Sequence, residues 1–333
     1  MEKKQMANPS GLSSSQLQQL RHEGFVVTPG LIDSVTIEAI RDELNETVSY
    51  LADQLYAEGI ISDAYSSANF DKQLARIALD HPEAAKELIK RMHGDVGGGW
   101  HMGPAMFDLM SHPGLLDAVT SIVGPEIIGS SVYRVRPKAP GLESGEVPWH
   151  QDSGYFLSHC DQEFIITCWI PLVDADEENG CLHVIPQTHD LGIFEHRRGG
   201  PGGYLVIPEK DLPAGSQPRA IPVEKGGVLF LTNLTPHASF ENHSDQMRWS
   251  IDLRYQSPDV PNNVDTAQLE TNSDGPEVEI ACFPPEADFV LRSPANPEKE
   301  ILNWKKLKQI RDDHFRKLKR DNDMQGRWLH VEQ

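Results

Sequence analysis

Between residues 33 and 59 the apolar positions Ile37, Ile40, Leu44, Val48, Leu51 and Leu55 recur at steps of three and four. That spacing puts them on one stripe of a long amphipathic helix, with Asp33 or Ser34 as its N-cap and Gly59 beyond its end. Just before it, Phe25-Val26-Val27 after Gly24 reads as a short strand. Weaker helical periodicity runs from about Phe70 to Met92, where Pro82 must break or restart the helix, and from Leu115 to Val123 ahead of Gly124. From Glu126 onward the period changes to two. Short strands are expected at 127–136, 147–152, 164–173, 181–185, 204–207, 220–223, 228–232 and 247–255, separated by Gly, Pro, Asn and Asp turns. That number of short strands suits a sandwich or a jelly roll. The stretch 195–218, with Arg197-Arg198-Gly199-Gly200-Pro201-Gly202-Gly203, is long and Gly-rich enough to read as a mobile flap. After Gln256 the chain turns irregular and acidic, then ends in a Lys/Arg-rich helical stretch from Ile301 to about Arg320. The expected organisation is one integrated domain: a helical region at 1–125 packing on a β core at 126–256, followed by an irregular segment and helix at 257–333.

Composition narrows the function classes. The 333 residues include 50 acidic and 30 basic ones, a formal charge of −20, so the overall field repels nucleic acid and anionic membrane surfaces. No nucleic-acid or membrane partner is expected. The basic pair Lys3-Lys4 is followed by no apolar h-region, and no run approaches the roughly 20 apolar residues of a membrane span. Cys160, Cys168, Cys181 and Cys282 contain no C-x-x-C pair, which fits reduced thiols and a cytoplasmic location.

The candidate chemistry lies in the histidines. In an extended strand residues i and i+2 point the same way, so the imidazole and carboxylate of a His-x-Asp pair can bind one metal ion together. The pattern occurs at His93/Asp95, His150/Asp152, His159/Asp161 and His243/Asp245. The first sits at a helix end running into Gly94-Asp95-Val96-Gly97, and the third and fourth sit in polar turns. His150 and Asp152 alone fall in an extended segment flanked by aromatics, Val147-Pro148-Trp149-His150-Gln151-Asp152-Ser153-Gly154-Tyr155-Phe156. A third ligand is offered by His237, just past the apolar strand Val228-Leu229-Phe230-Leu231-Thr232. The next strand alternates Trp249, Ile251 and Leu253 with Arg248, Ser250, Asp252 and Arg254, which lets Arg248 face the same cavity. Two histidines and one carboxylate leave open positions on a divalent metal, and an arginine some way off can grip a carboxylate bidentately. G-x-S-x-G, H-E-x-x-H and Walker patterns are absent from the sequence.

The ordered set Pro148-Trp149-His150-Gln151-Asp152, His237 and Arg248 resembles the phytanoyl-CoA dioxygenase family of Fe(II)/2-oxoglutarate oxygenases. The resemblance runs from Phe25-Val26-Val27-Thr28-Pro29-Gly30-Leu31 to Tyr255 and fades in the C-terminal stretch. It implies a mainly β fold with flanking helices around a double-stranded β-helix, the jelly-roll, cupin-like core. It makes His150, Asp152 and His237 the catalytic iron ligands and Arg248 the clamp on the distal carboxylate of 2-oxoglutarate. Ser239 becomes the hydroxyl partner of that carboxylate, Trp169 an aromatic near the co-substrate, and Gln151 and Lys138 further contacts. Asn179-Gly180-Cys181-Leu182 through Pro186-Gln187-Thr188-His189 matches a family segment that usually ends Pro-Gly-Ser-His, so Gln187 and Thr188 depart from it.

The implied cofactors are Fe(II), 2-oxoglutarate and O2, with release of succinate and carbon dioxide and hydroxylation of an unactivated carbon. Halogenating members replace the ligand aspartate by a small residue, and Asp152 is present. A CoA thioester is multiply anionic, so on a chain of charge −20 the expected substrate is a small molecule that is not CoA-linked. Arg134, Arg136, Arg197 and Arg198 are available for an anionic group on it. The competing readings are a cupin-like metal-binding protein and a 2-oxoglutarate sensor without oxygenase turnover. The arginine at 248 favours the oxygenase.

Overall fold

The computed structural model describes residues 11–93, 101–130, 133–156, 161–200, 203–260, 288–317 and 328–330. Its helices are α1 (Ser14–Glu23), α2 (Ser34–Ala57), α3 (Phe70–Asp80), α4 (Pro82–His93), α5 (Pro104–Met110), α6 (Pro113–Val123) and α7 (Trp304–Lys317). Its strands are β1 (Phe25–Thr28), β2 (Ile127–Ser130), β3 (Arg134–Lys138), β4 (Val147–His150), β5 (Ile166–Pro171), β6 (Leu182–Val184), β7 (Arg197–Arg198), β8 (Arg219–Ile221), β9 (Val228–Thr232), β10 (His237–Ser239), β11 (Arg248–Gln256), β12 (Asp288–Arg292) and β13 (Leu329–His330).

The long helix forms where the apolar stripe puts it. Asp33 is its N-cap, accepting from the Thr36 N–H at 3.0 Å, and Ile37, Ile40, Leu44, Val48, Leu51 and Leu55 are all buried. Pro82 starts a new helix, as the missing donor at that position requires. Helices α1 and α5 carry too short a stripe to stand out in the sequence. The first is fixed by a capping box between Ser13 and Gln16, and the second by Pro104 at its first turn.

A seven-stranded sheet runs in the order β1-β9-β5-β11-β2-β12, with β3 pairing the first half of β11, and a four-stranded sheet runs β4-β10-β6-β8. All these pairings are antiparallel. Period-two alternation decides what each face meets. On the large sheet Ile170, Phe230, Trp249, Ile251 and Leu253 turn to the helices, sharing one core with Ile37, Ile40, Leu44 and Val48 of α2. The opposite face sends Trp169, Leu229 and Leu231 against Leu182, Val184, Ile221 and Val223 between the two sheets. Helices therefore cover one face of the large sheet and the small sheet covers the other, in a jelly roll.

In place of one strand at 127–136 the chain forms β2 and β3, with Tyr133 belonging to neither; residues 131–132 lie outside the described residues. The segment expected at 147–152 ends as a strand at His150 and continues as a 3₁₀ turn, Asp152–Tyr155. At 204–207 only the bridge between Val206 and Arg197 is β-like. Backbone bonds between Arg197 and Val206 at 2.7 and 2.9 Å, and from Ile207 N–H to the Trp149 carbonyl at 2.7 Å, fasten the Gly-rich stretch to β4. Those bonds join the described residues on both sides of the Gly-rich stretch to the fold.

Candidate metal centre

β4 and β10 lie side by side with His150 and His237 in register, and their rings come within 4.2 Å centroid to centroid. Each ring donates from Nδ1 to a carbonyl two residues back, His150 to Pro148 at 2.8 Å and His237 to Thr235 at 3.0 Å. Both Nε2 atoms are thereby left as acceptors with the ring orientation locked. The 3₁₀ turn after β4 swings the Asp152 carboxylate to the same point. One ligand atom from each of His150, Asp152 and His237 lies within 4.8 Å of the others, and all three residues are buried. Burial and the second imidazole hold His150 well below the usual histidine range, so it stays neutral and available as a ligand.

Asp152 has two further partners. Arg254 of β11 donates to Oδ1 at 2.8 Å from Nη2 and to Oδ2 at 3.4 Å from Nε, and the Thr167 hydroxyl of β5 donates to Oδ2. Burial alone would raise this carboxyl, but the charge and hydrogen bond of Arg254 together with the two imidazoles outweigh it and keep the group well below the usual carboxylate range.

One cavity is lined both by the triad and by Arg248, Ser239 and Trp169. Arg248 is 2% exposed. It donates to the Ser250 hydroxyl at 2.6 Å and the Ser239 hydroxyl at 3.0 Å, and its guanidinium carbon sits 5.6 Å from the Trp169 ring centroid. Among the described residues its Nε has no hydrogen-bond partner. Burial and the nearby Arg136 push its pKa down to about 10, against the pull of Asp252. A buried guanidinium with an orphaned donor is costly unless an anion completes it, and a ligand carboxylate does so. Two imidazoles and one carboxylate are likewise the donor set of a divalent iron site with open positions. The residues present therefore fit both Fe(II) and 2-oxoglutarate.

Gln151 and Lys138 point elsewhere. Gln151 ties loops together, donating to the Gly192 and Leu234 carbonyls at 2.8 and 2.7 Å and accepting from the Phe194 N–H at 2.7 Å. The Lys138 ammonium donates to the Ser239 carbonyl at 3.0 Å and to that of Phe240, and burial, helped by Arg248, pushes it down to about 6. Neither residue lines the cavity. Of the other His-x-Asp copies, His243 and Asp245 are exposed, with Asp245 paired to Lys72 at 2.5 Å. Asp95 and His159 fall outside the described residues. The arginines considered for an anionic group are partly committed: Arg136 pairs with Asp252 at 2.8 Å and Arg197 with Glu195. The sequence reading assigned no role to Arg254, Thr167 or Asp252, although the alternation of β11 already placed Arg254 and Asp252 on the face of Arg248.

A jelly roll that gathers two histidines, an aspartate and a buried arginine into one cavity defines a non-haem metal oxygenase of the 2-oxoglutarate-using class. The chain belongs to the phytanoyl-CoA dioxygenase family, whose profile matches residues 20–250. It is 27% identical over 267 residues to phytanoyl-CoA dioxygenase domain-containing protein 1 of Bos taurus, covering 71% of this chain and 87% of the relative. It is 25% identical over 158 residues to the peroxisomal phytanoyl-CoA dioxygenase of Homo sapiens, covering 46% of each. Among solved structures, the alpha-ketoglutarate-dependent carbocyclase SnoK from nogalamycin biosynthesis is similar with a TM-score of 0.49 and 21% identity, covering 83% of this chain and 96% of SnoK. The non-heme monooxygenase ThoJ gives 0.47 and 17%, covering 86% and 87%.

Proposed function

We propose that this oxygenase hydroxylates an unactivated carbon of a small molecule that is not CoA-linked, consuming 2-oxoglutarate and O2 and releasing succinate and carbon dioxide. His150, Asp152 and His237 are the residues that would hold Fe(II), and Arg248 with Ser239 would take the distal carboxylate of 2-oxoglutarate. The observation that carries the reading is the combination in one cavity of the triad and a buried arginine whose Nε is unpartnered. The bound metal and its co-substrate supply the oxidising power for C–H cleavage.

The chain's own residues contribute binding and exclusion. The carbonyls of Pro148 and Thr235 fix the histidine tautomers. Arg254 and Thr167 keep the Asp152 carboxylate ionised and aimed. Trp169, stacked under Arg248 and packed on Leu229 and Leu231, walls the co-substrate end with apolar surface and shields the ion pair it would make from water. None of the helices described is long and apolar enough to cross a membrane; the cytoplasmic location proposed for the enzyme rests on its four cysteines, which contain no C-x-x-C pair.

The test is an anaerobic titration with Fe(II) and then 2-oxoglutarate, followed by the weak visible charge-transfer absorption of the chelate. The wild type should develop the band. His150→Ala should abolish it, and Arg248→Ala should require at least tenfold more 2-oxoglutarate. A folded, metal-loaded wild type without the band would refute the reading.

A further inference from the structure

The wall of the cavity that joins the metal ligands to Arg248 is built from opposite charges with hydrogen-bonding capacity to spare. Arg136 on β3 and Asp252 on β11 both line the cavity, and Arg136 Nε donates to Asp252 Oδ2 at 2.8 Å. Arg136 Nη1 donates to the Tyr204 hydroxyl at 3.3 Å, with the guanidinium carbon 5.8 Å from that ring's centroid. Among the described residues, Arg136 Nη2 and Asp252 Oδ1 have no hydrogen-bond partner. Tyr155 stands edge-on to His150 at 5.8 Å and its hydroxyl accepts from the Leu205 N–H at 3.0 Å. Both phenols thus receive one hydrogen bond and keep their own O–H to give.

This pattern selects by charge. An anion drawn to Nη2 meets the Asp252 carboxylate just beyond it, so attraction and repulsion largely cancel while the anion still loses its water. A cation drawn to Oδ1 meets Arg136 in the same way. An alkyl chain strands both atoms without partners. A neutral hydroxyl accepts from Nη2 and donates to Oδ1, and a hydroxyl that reaches past this lining meets the phenol O–H groups of Tyr155 and Tyr204, which stand behind it.

We infer that the Arg136–Asp252 pair, flanked by Tyr155 and Tyr204, is a subsite for a neutral, hydroxylated part of the substrate, a polyol or glycosyl group. The inference rests on the function proposed above and narrows its substrate class.

The test is saturation-transfer NMR on the full chain loaded with Zn(II), a redox-inert stand-in, and 2-oxoglutarate. The probes are methyl α-glucoside, methyl α-mannoside and myo-inositol against hexanoate, butylammonium and octanoyl-CoA. At least one polyol should receive saturation, keep it when 2-oxoglutarate is bound, and bind tenfold more weakly to Arg136→Gln and Asp252→Asn. Tyr204→Phe removes one hydroxyl and no charge. It should weaken the same polyol about threefold, and it carries the test if either charge variant fails to fold. The inference is overturned if no polyol binds, if only the ionic or acyl probes bind, if 2-oxoglutarate displaces the polyol, or if the folded variants bind it as the wild type does. Calorimetric titration of Zn(II) and 2-oxoglutarate into the same samples separates the two failures. Binding of both without any polyol sinks the subsite alone, whereas binding of neither sinks the oxygenase reading.

Discussion

The Asp152 carboxylate is held by residues of two other strands, Arg254 of β11 and Thr167 of β5. Its Oδ1 lies 4.0 Å from His150 Nε2 and also receives Arg254 at 2.8 Å. Without Arg254, burial is opposed by the two imidazoles alone, so the carboxyl rises and a proton competes better with the metal for it. Arg254→Met should therefore weaken Co(II) or Fe(II) binding by roughly 10–100-fold, the usual effect of losing an outer partner of a ligand, read by calorimetry with no turnover required. Lys138 makes a different prediction. Its folded pKa is pushed down to about 6 by burial, whereas the unfolded chain keeps the usual lysine value near 10.4. Between those values the unfolded state holds the extra proton, so this group makes the metal-free protein more stable as pH rises and less stable as it falls towards 6. From pH 7 to 9 the wild type should gain on Lys138→Met by on the order of 2 kcal/mol in urea unfolding. A flat difference across that range would show that the ammonium stays charged when folded. At this scale the structure brings into one cavity the His150, Asp152, His237 and Arg248 that motif spacing picked out, together with Ser239, which the family resemblance alone supplied. The partners of Asp152 and Arg136 were not legible, since those ion pairs join positions 102 and 116 residues apart, and no local period records such a contact.

Element by element, legibility followed the strength of the period. The stripe of α2 and the alternation of β11 were readable because a long run repeats one rule. The three residues of β10 were too short to show any period, and β12 joins the edge of the large sheet from beyond the segment where the strand pattern stopped. The departure at Gln187 has a physical reading. This residue has φ +61°, the left-handed region where the family's usual glycine is at ease and a side chain is strained. Its amide offsets part of that strain by donating to the Glu23 carboxylate at 2.8 Å, while its backbone N–H donates to the Glu23 carbonyl at 3.1 Å. Gln187→Ala keeps the strain and loses the side-chain bond, whereas Gln187→Gly loses the bond and the strain together. The glycine variant should be the more stable of the two by about 1 kcal/mol, measured by urea unfolding. Equal stability would mean that the backbone here tolerates a side chain at no cost.

At the scale of the whole molecule, strands from distant parts of the chain complete one sheet. β1 pairs β9 from the N-terminal side, β12 pairs β2 from the C-terminal side, and the helices before residue 125 share a core with β11. None of these parts has its own closed apolar core, so the region before 126 should not unfold apart from the β core. Calorimetry of the metal-free protein should show a single transition. The metal centre draws on the same parts, since His150 and His237 come from the small sheet while Arg254 and Thr167, which hold Asp152, come from the large one. Ligands that bind there bridge the two sheets and must raise that transition without splitting it. With metal bound, 2-oxoglutarate at 100 times its Kd should add roughly 2.7 kcal/mol, about 4 °C for a chain this long. Arg248→Ala should keep the increment due to metal and lose the one due to 2-oxoglutarate, because its guanidinium has no part in holding the triad. A second transition that ignores both ligands would mean that the helical region stands on its own, and that the sheets alone carry the site.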